Sequence, residues 1–231
     1  MTRWLTEMLT IKSTTTCQLY GHPEFEIEFD PEVALQTDVD LFVSYLIDQV
    51  ANGVRYEPNQ LIQVGWMMVR VEKSKEKITL FEPDFEEFPI KYVRGVTNTF
   101  RDLRLQKSTA ESVGLEDKLD FPTILHSGIS CTRHEDSMYL VMDRTDAENR
   151  DSGWFIGCDD PNHDHNDPAN LRRTSLYELV RSKPGCILFL ALPTGSFIRT
   201  KIDSIEIQFE KRLMQIKEHS FLEKYLKQFK Q

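Results

Sequence analysis

The sequence has no C-x-x-C pair, and its four cysteines, Cys17, Cys131, Cys158 and Cys186, stand far apart. That spacing argues against a zinc ribbon or a disulfide scaffold and leaves free thiols in a reducing cytoplasm as the expectation. No run of about 18 apolar residues occurs, so no helix is expected to span a membrane. A glycine-rich phosphate loop is missing, which leaves nucleotide binding without support. Neither Ser152 nor Ser196 sits in a G-x-S-x-G elbow, so a serine hydrolase is not expected. Residues 1–12 carry an acid within their apolar stretch and no small-residue cleavage site, unlike a signal peptide. No repeat and no low-complexity segment is found.

Positive charge is also in short supply, with 28 Lys and Arg against 37 Asp and Glu in 231 residues, a formal net charge of −9. The deficit is local. Residues 143–170 hold eight acids (Asp143, Asp146, Glu148, Asp151, Asp159, Asp160, Asp164, Asp167) and two bases (Arg144, Arg150), a net −6. Such a field repels nucleic acid and attracts a basic surface. The chain beyond Glu210 has the opposite bias, including Lys211, Arg212, Lys217, Lys224, Lys227 and Lys230. A hydrophobic fraction of 40% and a charged fraction of 28% are those of an ordinary globular chain.

The hydrophobic pattern predicts an α+β protein of two small α+β units, each a mostly antiparallel sheet packed against helices, divided as 1–116 and 117–231. In the first, of undetermined role, two short strands are expected about Gly21-His22-Pro23. The second of these alternates Phe25, Ile27 and Phe29 with glutamates. A helix follows from Thr37, with Leu41, Phe42, Tyr45, Leu46 and Val50 as its apolar stripe and Gly53 as its stop. Residues 61–71 and 77–81 read as strands, with Trp66 in the core, and 97–112 as a helix. In the second unit, strands are expected at 124–131, 138–142 and 154–157. A helix capped by Thr174 or Ser175 then turns Leu176, Leu179 and Val180 inward. Residues 186–192 give the strongest buried-strand signal. Strands at 196–200 and 205–209 follow, and Ser220-Phe-Leu-Glu223 forms a capping box for a last helix with Phe221, Leu222, Tyr225, Leu226 and Phe229 on its apolar face. That helix could dock a partner or pack on its own unit.

The unusual chemistry lies in Asp151-Ser-Gly-Trp-Phe-Ile-Gly-Cys158 and the loop that follows, 159–170. Asp160-x-Asn162-x-Asp164-x-Asn166 opens like an EF-hand loop, but His165 stands where the glycine is required and Leu171 where the bidentate acid is. Cys158, His163 and His165 could supply three zinc ligands, with Asp160 or Asp167 as a fourth, although their spacing matches no zinc module. As a nucleophile Cys158 sits among carboxylates, which disfavour a thiolate. The loop also reads as a polar segment whose Asp and Asn side chains cap their own turns. Glu82 to Lys91 lacks the spacing of a nuclease core and reads as an acidic loop beside a strand. Trp154 and Phe155 beside glycines read as packing residues.

Asp151-Ser-Gly-Trp154, Phe155 through Asp159-Asp160, Asn166-Asp-Pro-Ala-Asn170, Ser175-Leu-Tyr-Glu-Leu179 and Leu192-Pro-Thr-Gly-Ser-Phe197 together resemble a bacterial family of polymorphic-toxin immunity proteins, the immunity protein 33 type, over about residues 120–202. The strand and basic helix beyond Thr200 lie outside that resemblance, and 161–165 looks like an insertion. The resemblance implies a cytoplasmic, non-catalytic protein of bacterial competition that binds and neutralises a cognate toxin or effector, with no cofactor and with neither nucleic acid nor membrane as partner. The acidic surface suits a partner with a basic binding surface, and the expected contact residues are Trp154, Asp159, Asp160, Asp164, Asp167 and Asn170. The alternative is a zinc-type metal-binding enzyme or module centred on Cys158, His163 and His165.

Overall fold

The computed structural model describes residues 9–74 and 76–228. Residues 1–8 of the segment compared with a signal peptide, and Phe229 and Lys230, lie outside the described residues. The chain forms two compact units, Met1–Leu103 and Arg104–Gln231, so the expected division at 116/117 falls inside the second. Both are α+β, as the hydrophobic pattern predicts. Each is built on one mixed sheet with a single parallel strand pair among its strand pairings.

The first unit runs β1 (Thr10–Ser13), β2 (Glu24–Phe29), α1 (Gln36–Ala51), β3 (Leu61–Val64), β4 (Met67–Ser74), β5 (Lys77–Asp84), β6 (Lys91–Arg94) and α2 (Thr97–Val113), the last helix carrying the boundary. Its sheet has the order β1-β2-β5-β4-β3, with β6 on β5. The alternation of β2 buries Phe25, Ile27 and Phe29 against Val39, Phe42, Leu46 and Val50 of α1. Leu41 and Tyr45, expected on the buried stripe, are exposed instead, and Val39 and Val43 take their place. The sheet covers a narrower arc of the helix than its apolar residues span.

The strand expected before Gly21 is a 3-10 turn, Cys17–Tyr20. The buried Glu24 carboxylate takes the backbone N–H groups of Cys17 and Gln18 at 3.2 and 3.0 Å, so these amides never join a ladder. Glu82, from the segment that resembled a nuclease motif, is also buried. It caps α2 by accepting from the N–H groups of Asn98 and Thr99 at 3.0 and 2.7 Å, where a carboxylate also complements the helix dipole. Trp66 is fully buried, as expected.

The second unit runs β7 (Ser127–Cys131), β8 (Val141–Arg144), β9 (Asp151–Gly157), β10 (Leu171–Ser175), α3 (Leu176–Ser182), β11 (Ser196–Thr200), β12 (Ile205–Phe209), β13 (Arg212–Leu213) and α4 (Phe221–Lys227). The sheet order is β10-β7-β9-β8-β11-β12-β13, with β7 and β9 parallel. Ser175 caps α3 in a capping box with Glu178, and Leu176, Leu179 and Val180 are buried. In α4, Ser220 is the cap and Leu222 is fully buried. The Leu222 N–H donates to Ser112 Oγ at 3.1 Å, so the helix packs on its own unit.

Residues 186–192, all buried except the half-buried Ile187, are not a strand. They form a 3-10 turn, Pro184–Leu188, and further turns. A buried backbone outside a sheet still needs partners, and side chains supply them here. Trp154 Nε1 donates to Leu190 O at 3.0 Å, Arg144 to Leu192 O at 2.5 Å, and Gln106 to Ile187 O at 3.2 Å.

Asp102 in α2 is buried, with one oxygen on the Arg101 guanidinium at 2.9 Å and the other without a hydrogen-bond partner. Burial pushes its pKa up to about 6, against the opposing pull of Arg101. The folded value lies above the unfolded one, so the fold favours the protonated acid. Stability is then lost as pH rises from the unfolded value to the folded one. The loss is of order 3 kcal/mol in full. Asp102→Asn should therefore raise the urea midpoint most at about pH 7.5, with a difference from wild type that shrinks towards about pH 4. A pH-independent difference would show that ionisation of Asp102 is not the cause.

Candidate functional site

The segment Asp151-Ser-Gly-Trp154 is a strand irregularity stabilised by its own side chains. Asp151 accepts from the Gly153 N–H at 3.0 Å, and Ser152 Oγ donates to Ser127 O at 2.7 Å. The register between β7 and β9 shifts at this point. Gly153 has φ +74°, and a Cβ there would lie 2.1 Å from Thr145 O, so no other residue fits without moving that backbone. Trp154 then turns inward, 1% exposed, with the Arg144 guanidinium 5.5 Å from its ring. This corrects the expectation of Trp154 as a partner contact. Strand alternation sends it to the core and leaves its neighbour Phe155 half-buried on the opposite face.

The acidic segment is not one patch. Asp146, Glu148 and Asp151 lie at the start of β9 and Asp159, Asp160, Asp164 and Asp167 beyond its end. A strand of this length separates them by about 20 Å. Arg144 is buried on the carboxylate of Asp120 at 2.9 Å, and it leaves the local surface more acidic than residue counting implies.

In the loop, Asp159, Asp164 and Asp167 are exposed. Asp160, Asp164 and Asp167 each accept, at 2.9 Å, from the backbone N–H two residues on (Asn162, Asn166 and Ala169), three successive Asx turns. Asp160 also pairs with Arg133 at 2.8 Å, which neutralises much of its field. These contacts, with the Asn162 amide first, hold its pKa below the usual carboxylate range. Asn170 closes the loop. Its side chain donates to Asp164 O and its carbonyl accepts from Thr132 N–H, both at 2.9 Å, so it shapes the surface more than it presents one.

Beneath the loop the structure joins Cys158, His163 and His165 and adds Cys131. The ligand atoms of all four lie within 4.8 Å of one another, and Cys158 Sγ is 3.4 Å from His165 Nε2. Cys131, Cys158 and His163 are buried, and His165 is partly so. The imidazoles stand nearly perpendicular, centroids 5.1 Å apart, and His165 packs against Phe155. Gly157 permits this approach, because a Cβ there would come within 2.7 Å of Phe155 and 3.3 Å of His165. His163 Nε2 is buried without a hydrogen-bond partner. Burial raises the pKa of Cys131, opposed by the backbone N–H groups of Arg133 and Cys158, which point at its sulfur. Burial, followed by His163, lowers that of His165.

Cys131 was missed because it lies 27 positions before Cys158, outside any short motif. The topology supplies the link. The 158–170 loop leaves β9 and enters β10 with Leu171 opposite Cys131, so it must cross the end of β7.

Trp154→Ala removes a buried ring and leaves Leu190 O unpaired, and should cost about 3–5 kcal/mol in urea unfolding. Phe155→Ala should cost about 1 kcal/mol. Equal losses would contradict the inward and outward assignment.

No curated protein and no solved structure matches the chain. A family model does match, and it reaches from within α2 through β12, a strand that the motif resemblance had left outside. The matching model is that of the Imm33-like domain, over residues 105–210.

Proposed function

We propose that this chain is a non-catalytic immunity protein that acts in the bacterial cytoplasm. It binds a cognate toxin or effector with a basic binding surface and neutralises it through its acidic loop. The Imm33-like domain supports the immunity class. The observation that carries the acidic surface is the presentation of Asp159, Asp164 and Asp167. All three are exposed, and the last two are held by Asx turns on a loop anchored at both ends of the crossing. Carboxylates fixed before encounter lose little conformational entropy on binding, and their summed field steers a basic surface into register. Such a surface on a toxin that handles phosphate backbones would be occluded by the loop. Asp160 contributes less, because Arg133 already answers it. Phe155, half-buried beside His165, takes the place of Trp154 as the aromatic residue of this surface.

A metal-dependent enzyme would need an open coordination position for water or substrate. The Cys131, Cys158, His163 and His165 cluster offers four protein donors, enough to close a tetrahedron. The geometry therefore favours binding over catalysis.

Asn substitutes well for Asp in an Asx turn, so Asp159→Asn, Asp164→Asn and Asp167→Asn together remove charge while keeping the loop shape. With the cognate toxin domain as partner, the triple variant should associate about tenfold more slowly at low salt. Its association should also depend less on salt, with dissociation little changed. Stopped-flow or biosensor kinetics across a salt series would measure this. An unchanged association rate would remove the loop as the interface.

A further inference from the structure

We propose that Cys131, Cys158, His163 and His165 bind one Zn2+ in a closed tetrahedral site that fastens the acidic loop to the ends of β7 and β9. This proposal stands apart from the toxin-binding reading and can succeed or fail without it.

The donor set is the first argument. Two thiolates and two imidazoles are among the ligand combinations that structural zinc takes, and their softness disfavours calcium and magnesium. Geometry is the second. With Zn–S at about 2.3 Å and Zn–N at about 2.0–2.1 Å, a tetrahedron has edges of about 3.3–3.8 Å. Cys158 Sγ to His165 Nε2, at 3.4 Å, already has that length, and every other pair is within 4.8 Å. Small rotations of the side chains would bring the rest in.

His163 gives the third argument. The residue is 9% exposed, one of its ring nitrogens lies within 4.8 Å of the other three donors, and its buried Nε2 has no hydrogen-bond partner. An orphaned buried nitrogen costs stability unless something binds it.

The donors come from the end of β7, the end of β9 and the loop between β9 and β10. One ion would thus fasten the loop, through His163 and His165, to the ends of two strands that the backbone ladder already pairs. Two thiolates cancel the charge of Zn2+, so the exposed carboxylates keep their field.

The test uses the full chain without a histidine tag, purified under reducing conditions and analysed for metals. We expect about one zinc per chain. In chelated protein, Co2+ should restore a single site with the intense d–d bands of a tetrahedral centre and thiolate-to-cobalt charge transfer. That charge-transfer intensity should be about halved in Cys131→Ser, which retains one of the two thiolates. His163→Gln, in the loop and thus least able to disturb the sheet, should stay folded by circular dichroism and lose at least about tenfold in Zn2+ affinity. Asp159→Asn should keep its zinc. The proposal is overturned if the wild-type chain takes up neither Zn2+ nor Co2+, or takes up iron in place of zinc. It is also overturned by a Cys131–Cys158 disulfide in the reduced preparation, or by unchanged affinity in His163→Gln.

Discussion

The parallel pairing of β7 with β9 is the constraint on which the second unit's functional surface depends. It puts the C-terminal ends of both strands at one edge of the sheet, with β10 on the far side of β7. The chain leaving β9 must therefore pass over the end of β7 to begin β10. The gap is two strand spacings, about 10 Å. Thirteen residues, 158–170, make the crossing, many more than the distance requires, and the surplus folds into successive Asx turns above Cys131. The acidic display and the thiol and imidazole cluster are the upper and lower sides of that one crossing.

Polar groups inside the unit hold the sheet to its partner layer. Residues 186–192 are apolar enough for a central strand, yet their carbonyls are claimed by Trp154, Arg144 and Gln106. Arg144 also reaches the carbonyls of Asp120 and Ser152, so a single guanidinium joins two strands and two connecting segments. A buried cation with this many acceptors is costly to remove, because each carbonyl would be left dry. Asp151-Ser-Gly-Trp154 belongs to the same arrangement, since its glycine admits the Thr145 carbonyl and its tryptophan reaches Leu190.

Electrostatics then narrows the surface that a partner could read. The acids of residues 143–170 sum to a strong field on paper, but β9 divides them and Arg133 and Arg173 answer Asp160 and Asp151. Three exposed carboxylates remain concentrated on the loop. Asx turns orient Asp164 and Asp167, Ser137 Oγ donates to Asp159, and the cluster below can anchor the loop from within, so rigidity and charge are supplied by different atoms of the same segment.

Local patterns were legible in the sequence wherever one element decides its own form. The alternation of β2, the span of α2, the capping box at Ser175, the cap at Ser220 and the strands β11 and β12 follow from residue order, as does the α+β class. The inward turn of Trp154 was half legible, because alternation separates it from Phe155 without saying which faces the core. Other features depended on neighbours far along the chain. Leu41 and Tyr45 are exposed because the sheet covers only part of α1, and residues 186–192 escape the sheet because side chains from β8, β9 and α2 satisfy them first. The meeting of Cys131 with Cys158, His163 and His165 is the clearest case. The sequence by itself determined that a soft-ligand trio and an acidic loop would sit together. Only the strand order decided that a fourth ligand lies beneath them, because sheet topology sets which distant strand end a crossing loop must cover.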